Sequence, residues 1–62
     1  MQLNTKDMIK QKLLDVQESV RDYEEYAKQV DNSEVNRVFK DFAEESAMQA
    51  QKLQQLLTKY DK

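Results

Sequence analysis

Cysteine, histidine, glycine, proline and tryptophan are all missing from this chain. Without cysteine there are no disulfides and no thiolate chemistry, and without cysteine and histidine the usual zinc sites cannot be assembled. The loss of histidine also removes the general base of a Ser-His-Asp arrangement, and the loss of glycine removes phosphate-cradling loops. No apolar run approaches the roughly 20 residues that a membrane span requires. Charge of one sign is scarce as well: 35% of residues are charged, yet the net charge is only -2, which supplies no field for nonspecific nucleic-acid or membrane binding. The segment Met1-Gln2-Leu3-Asn4-Thr5-Lys6 has no signal-peptide core. These absences lead us to expect a cytoplasmic protein that is not an enzyme, holds no cofactor or metal, and does not enter a membrane.

What remains is a helix-forming composition of Gln, Lys, Glu, Leu and Ala with no breaker written into it. From Ile9 onward, apolar residues fall at Ile9, Leu13, Val16, Val20, Tyr23, Ala27 and Val30 in alternating steps of four and three, which marks one face of a helix. The rhythm returns at Val35, Phe39, Phe42, Ser46, Gln49, Leu53, Leu56 and Tyr60, with two polar intruders. Between Val30 and Val35 the step is five, and Asp31-Asn32-Ser33-Glu34 concentrates turn and N-cap residues at the phase slip. The pattern predicts an all-α chain forming one domain over residues 1–62: helix 1 about 5–31, a turn about 31–34, and helix 2 about 34–60. Asn4 or Thr5 is expected to cap the first helix and Asn32 or Ser33 the second. So short a connection makes the pair an antiparallel two-helix hairpin.

A chain of 62 residues lies near the lower limit for folding on its own core. The apolar stripe is also wider than a single neighbouring helix can cover, because Ala43, Ala50 and Leu57 form a flanking column beside the seam. A second hairpin is the natural cover, so the expected assembly is a homodimeric four-helix bundle, with another helical protein as the substitute partner.

Ser46 and Gln49 interrupt the seam one helical turn apart. Buried polar pairs in bundles fix register or oligomeric state at some expense of stability, which is the structural role expected of them. The stretch from Phe39 through Phe42, Ala43, Glu44, Glu45, Ser46, Ala47, Met48, Gln49 and Ala50 to Leu53 resembles the second helix of a ferritin-like, rubrerythrin-type hairpin. Tyr23-Glu24-Glu25-Tyr26-Ala27 resembles the tail of that family's first helix, and the likeness runs from about Leu13 to Leu57. The resemblance implies a ferritin-like bundle. It also implies that the family's inward Glu-x-x-His pair falls on Ser46 and Gln49 and its first-helix Glu on Val16, so each of the three positions has lost its metal ligand. Small helical-hairpin proteins of spore-forming bacteria are similar too, and that similarity implies no function.

Three weaker features complete the reading. Asp15, Glu18, Asp22 and Glu25 form an acidic stripe that could hold a divalent cation or a basic partner, although Arg21 and Lys28 lie within helical reach and a solvated face is the simpler account. Lys6, Lys10 and Lys12 come near Lys52, Lys59 and Lys62 at the hairpin's open end, which offers a nucleic acid or phosphorylated partner a landing place. A sequence pI near 5.0 argues against nucleic acid as the main partner. Tyr23, Tyr26 and Tyr60 are expected to bury their rings with the hydroxyls at the edge, and Met8, Leu14 and Met48 fall outside the stripe. The reading that follows is a non-catalytic interaction module that associates with itself, with phosphate-partner binding as the alternative and a diverged di-iron protein behind both.

Overall fold

A computed structural model describes residues 4–60, which form α1, Thr5–Gln29, and α2, Ser33–Tyr60. No strand is present among the described residues. Each helix begins where a side chain satisfies its orphaned amides. Asn4 Oδ1 accepts from the Asp7 N–H at 2.8 Å, and Asn32 Oδ1 accepts from the Val35 N–H at 2.9 Å. The caps are therefore Asn4 and Asn32, not Thr5 and Ser33, which open the helices as their first residues. Asp7 and Glu34 in the first turns, and Lys28 and Lys59 in the last, carry the charges that the helix dipoles favour.

Residues 30–32 make the connection. Val30 leaves the helical region with φ -81° and ψ 135°, and its N–H still donates to the Tyr26 carbonyl at 3.0 Å. The next carbonyl of the last turn, on Ala27, has no partner within its own helix. Asn36 of α2 supplies one, donating its side-chain N–H across the hairpin to the Ala27 oxygen. Sequence pattern did not single out Asn36, and it is the cross-link that fixes how the chain folds back.

The helices run antiparallel, with Ala27 against Asn36, Tyr26 against Phe39 and Tyr23 against Phe42. Ring centroids lie 5.8 Å apart for Tyr23 and Phe39, 5.5 Å for Tyr23 and Phe42 in edge-on contact, and 6.2 Å for Tyr26 and Phe39. Such pairs contribute about 0.5–1.5 kcal/mol each beyond their buried area. Farther from the turn the core thins. The buried residues are Leu13, Val16, Ala27, Ala43 and Leu57, and no large side chain among the described residues is completely enclosed. The result is a flat body of 45 × 24 × 12 Å, one helix layer thick.

Candidate association face

On α2, Asn36, Phe39, Ala43, Ser46, Ala50, Leu53 and Leu57 recur in steps of three and four, and all of them are buried or half-buried. This column faces α1. Ala43 and Leu57 are only 7% and 8% exposed, so two members of the column expected to flank the seam lie at its centre, with Ala50 half-buried between them. The small side chains of Ala43 and Ala50 let α1 come close, and the bulkier residues of the expected seam are displaced to its edge. Phe39, Ser46 and Leu53 stay in the hairpin interface, while Phe42, Gln49 and Tyr60 are exposed and Val35 and Leu56 half-buried. On α1, Leu13, Val16 and Ala27 are buried, and Ile9, Val20, Tyr23 and Val30 half-buried.

A two-helix layer has two long sides, and here they differ in chemistry. One groove is lined by Val20, Glu24, Ala27, Lys28, Asn36, Lys40, Ala43, Glu44 and Ala47, an alanine floor between charged rims. The opposite groove is lined by Lys12, Asp15, Val16, Ser19, Tyr23, Phe42, Glu45, Ser46 and Gln49. Met8 and Tyr26 stand on the α1 column that carries Lys12, Asp15 and Ser19. Val38, Leu56 and Tyr60 stand on the α2 column that carries Phe42, Glu45 and Gln49. Five large apolar side chains therefore share this second side: Met8 at 55% exposure, Tyr26 at 52%, Val38 at 37%, Phe42 at 40% and Tyr60 at 51%. Leu14 and Met48 are exposed on columns outside it.

The middle of the apolar side is polar. Ser19 and Ser46 are half-buried, and Gln49 and Glu45 are exposed around them. Lys12 and Asp15 pair at 3.9 Å, with side chains 69% and 48% exposed, an arrangement worth little in water. Val16, Ser46 and Gln49 line this one groove. They bring an isopropyl group, a hydroxyl and an amide together, a set without an anionic donor for iron or manganese.

Of the remaining candidates, Lys12 and Asp15 line this groove and the others do not. Asp15, Glu18, Asp22 and Glu25 are exposed, with Gln11 donating to Asp15 and Gln29 to Glu25 at 3.2 Å. Among the described residues no group of three or more carboxylates gathers around a common point where a metal ion would sit. The antiparallel fold brings Lys6, Lys10 and Lys12 to the same end as Lys52 and Lys59, and Lys62 lies outside the described residues. No described helix is long and apolar enough to cross a membrane. No protein-family model matches the chain, and no curated protein or solved structure matches it.

Proposed function

We propose that this chain is a non-catalytic interaction module whose working form is a homodimer, two hairpins closed over their apolar sides into a four-helix bundle. The observation that carries this reading is the single-sided distribution of Met8, Tyr26, Val38, Phe42 and Tyr60. Large exposed apolar side chains gathered on one side of a small chain, here in two patches around a polar middle, mark an association site, whereas singly scattered ones do not. The areas agree with it. A compact monomer of 7.4 kDa exposes about 4200 Å². This chain exposes 5204 Å². The excess, about 1000 Å², is of the size that each partner buries in a stable interface, about 800 Å².

Self-pairing is favoured because the surface is self-complementary in kind: apolar patches on either side of a polar middle, and helices of similar length to lay against one another. The likeness to ferritin-like hairpins supports the same bundle. The non-catalytic part rests on chemistry, since the sequence has no imidazole or thiol and the groove centre offers two serine hydroxyls and an amide beside solvent-facing charges. The test is mass in solution by light scattering over a dilution series, with circular dichroism on the same samples. A helical dimer that dissociates on dilution is expected. A helical monomer at every concentration would overturn self-association, and stoichiometric transition metal after dialysis would overturn the reading without a cofactor.

A further inference from the structure

Charge is unevenly divided along the hairpin. The turn half, residues 17–47, carries nine carboxylates against four cations, a net -5. The open half, residues 4–16 and 48–60, carries five lysines against two aspartates, a net +3. A chain that is almost neutral overall is therefore a rod with an acidic end and a basic end, 45 Å long. In the groove on the apolar side the division is weaker: Lys12 is paired with Asp15 in the open half, and Glu45 stands toward the turn, so the contrast comes from the halves as a whole.

We propose that the second copy seats on this side with its turn at the opposite end, so that each acidic half lies over the partner's basic half. This rests on the homodimer reading and adds the orientation. Two arrangements bury the same apolar residues and lay the polar middle of one copy on that of the other. With both turns at one end, five net negative charges face five more and the lysine-rich ends face each other. Reversal turns both repulsions into attractions, and no other property of the two sides separates the arrangements so strongly. The lysine-rich open end thereby has an occupant within the dimer, the partner's carboxylates, in place of a nucleic acid.

Salt gives the two arrangements opposite signatures. Screening weakens an attraction between oppositely charged halves and relieves a repulsion between like ones, while the apolar contact is left in place. Dimer dissociation of the full chain is measured by sedimentation equilibrium at low and high sodium chloride, 50 and 500 mM. The reversed dimer weakens by roughly tenfold at the higher salt. A dimer that is unchanged or tighter there overturns the proposal.

A second measurement reads orientation directly. The chain has no cysteine, so Gln29→Cys places one spin label beside the turn without altering charge. Turns at opposite ends put the labels a distance apart comparable to the 45 Å length of the hairpin. Turns at one end put them within about 20 Å, two helix spacings. The long distance is expected, and the short one overturns the orientation while leaving the dimer standing. A monomer at both salts, with no coupling between labels, overturns the homodimer reading itself and the orientation with it.

Discussion

Asn36 holds a hydrogen bond between the two helices next to the turn, and its removal isolates what closes the hairpin there. Its amide donates to the Ala27 carbonyl in a half-buried position, where little water can substitute. Asn36→Ala deletes the donor and strands the carbonyl. A net hydrogen bond contributes about 1 kcal/mol, and a stranded buried acceptor raises the loss to about 1–3 kcal/mol. For a domain of this size each kcal/mol shifts the melting temperature by about 4–8 °C, so a drop of roughly 5–20 °C is expected. The assay is thermal unfolding by far-ultraviolet circular dichroism at one fixed chain concentration, because dimerisation makes the midpoint concentration-dependent. Asn36→Asp sharpens the test. Its ionised carboxylate is acceptor-only, faces a carbonyl oxygen, and destabilises more than alanine at neutral pH. Repulsion raises that carboxyl's pKa in the folded state above its unfolded value near 3.9, so the deficit relative to Asn36→Ala shrinks as pH falls through the carboxylate range. If Asn36→Ala loses less than about 0.5 kcal/mol, the turn is held by the Asn32 cap and aromatic packing alone, and the reasoning is refuted.

Other outcomes follow from the same geometry. Val38→Glu introduces a charge on the apolar side at a residue already 37% exposed, so it weakens the dimer by tenfold or more, in the range of about 1.4 kcal/mol upward. Met48→Glu, at a residue 68% exposed on another column, leaves dimer affinity unchanged within about 0.5 kcal/mol; equal effects of the two in a dilution series would locate the interface elsewhere. Asn32→Ala removes the α2 cap and lowers stability by about 1 kcal/mol in denaturant titration, while Ser33→Ala, outside the capping position, has a much smaller effect. Changing Ser46 to Ala and Gln49 to Leu together raises the melting temperature and broadens the range of oligomers seen by light scattering, as expected of a polar belt that specifies pairing at some loss of stability. A lower melting temperature with a uniform dimer retained would identify the belt as a satisfied hydrogen-bond network instead.

The two helices and the turn were legible because their signals are local. Alternating steps of three and four from Ile9 to Val30 need a helix, and the slip at Asp31-Asn32-Ser33 coincides with residues whose side chains bond their own backbone amides. The azimuth of α2 was not legible. Its apolar stripe spans two adjacent columns, Phe39-Ala43-Ser46-Ala50-Leu53-Leu57 and Val38-Phe42-Gln49-Leu56-Tyr60, and periodicity weighs them equally. Ranking by hydrophobicity favours the column with Phe42 and Leu56 as the inner one, whereas close approach of α1 favours the column with two alanines. The second effect wins beside a single neighbour, since a small side chain brings backbones together and draws the surrounding methylenes into contact. Asn36 did leave a signal: it lies three residues before Phe39 and seven before Ala43, a polar group on the inner column next to the turn. A polar residue in that position has to find a partner, and the orphaned carbonyls of the preceding helix are the nearest acceptors.

In the proposed homodimer the apolar side is covered by the second chain. The two apolar columns of α2 are one more than a hairpin can bury, and its inner column is the poorer in large side chains. On the apolar side, Phe42, Tyr26, Tyr60 and Met8 are left between 40% and 55% exposed. At about 25 cal/mol per Å² of apolar surface, covering such side chains on both copies is worth several kcal/mol, comparable to the whole stability of so small a core. The proposed homodimer makes folding and pairing a single transition, and the measurement that checks it is the concentration dependence of the melting temperature. A midpoint that rises steadily with chain concentration places the missing half of the core in the partner, whereas a midpoint independent of concentration would mean that Tyr23, Phe39 and the inner alanine column suffice alone.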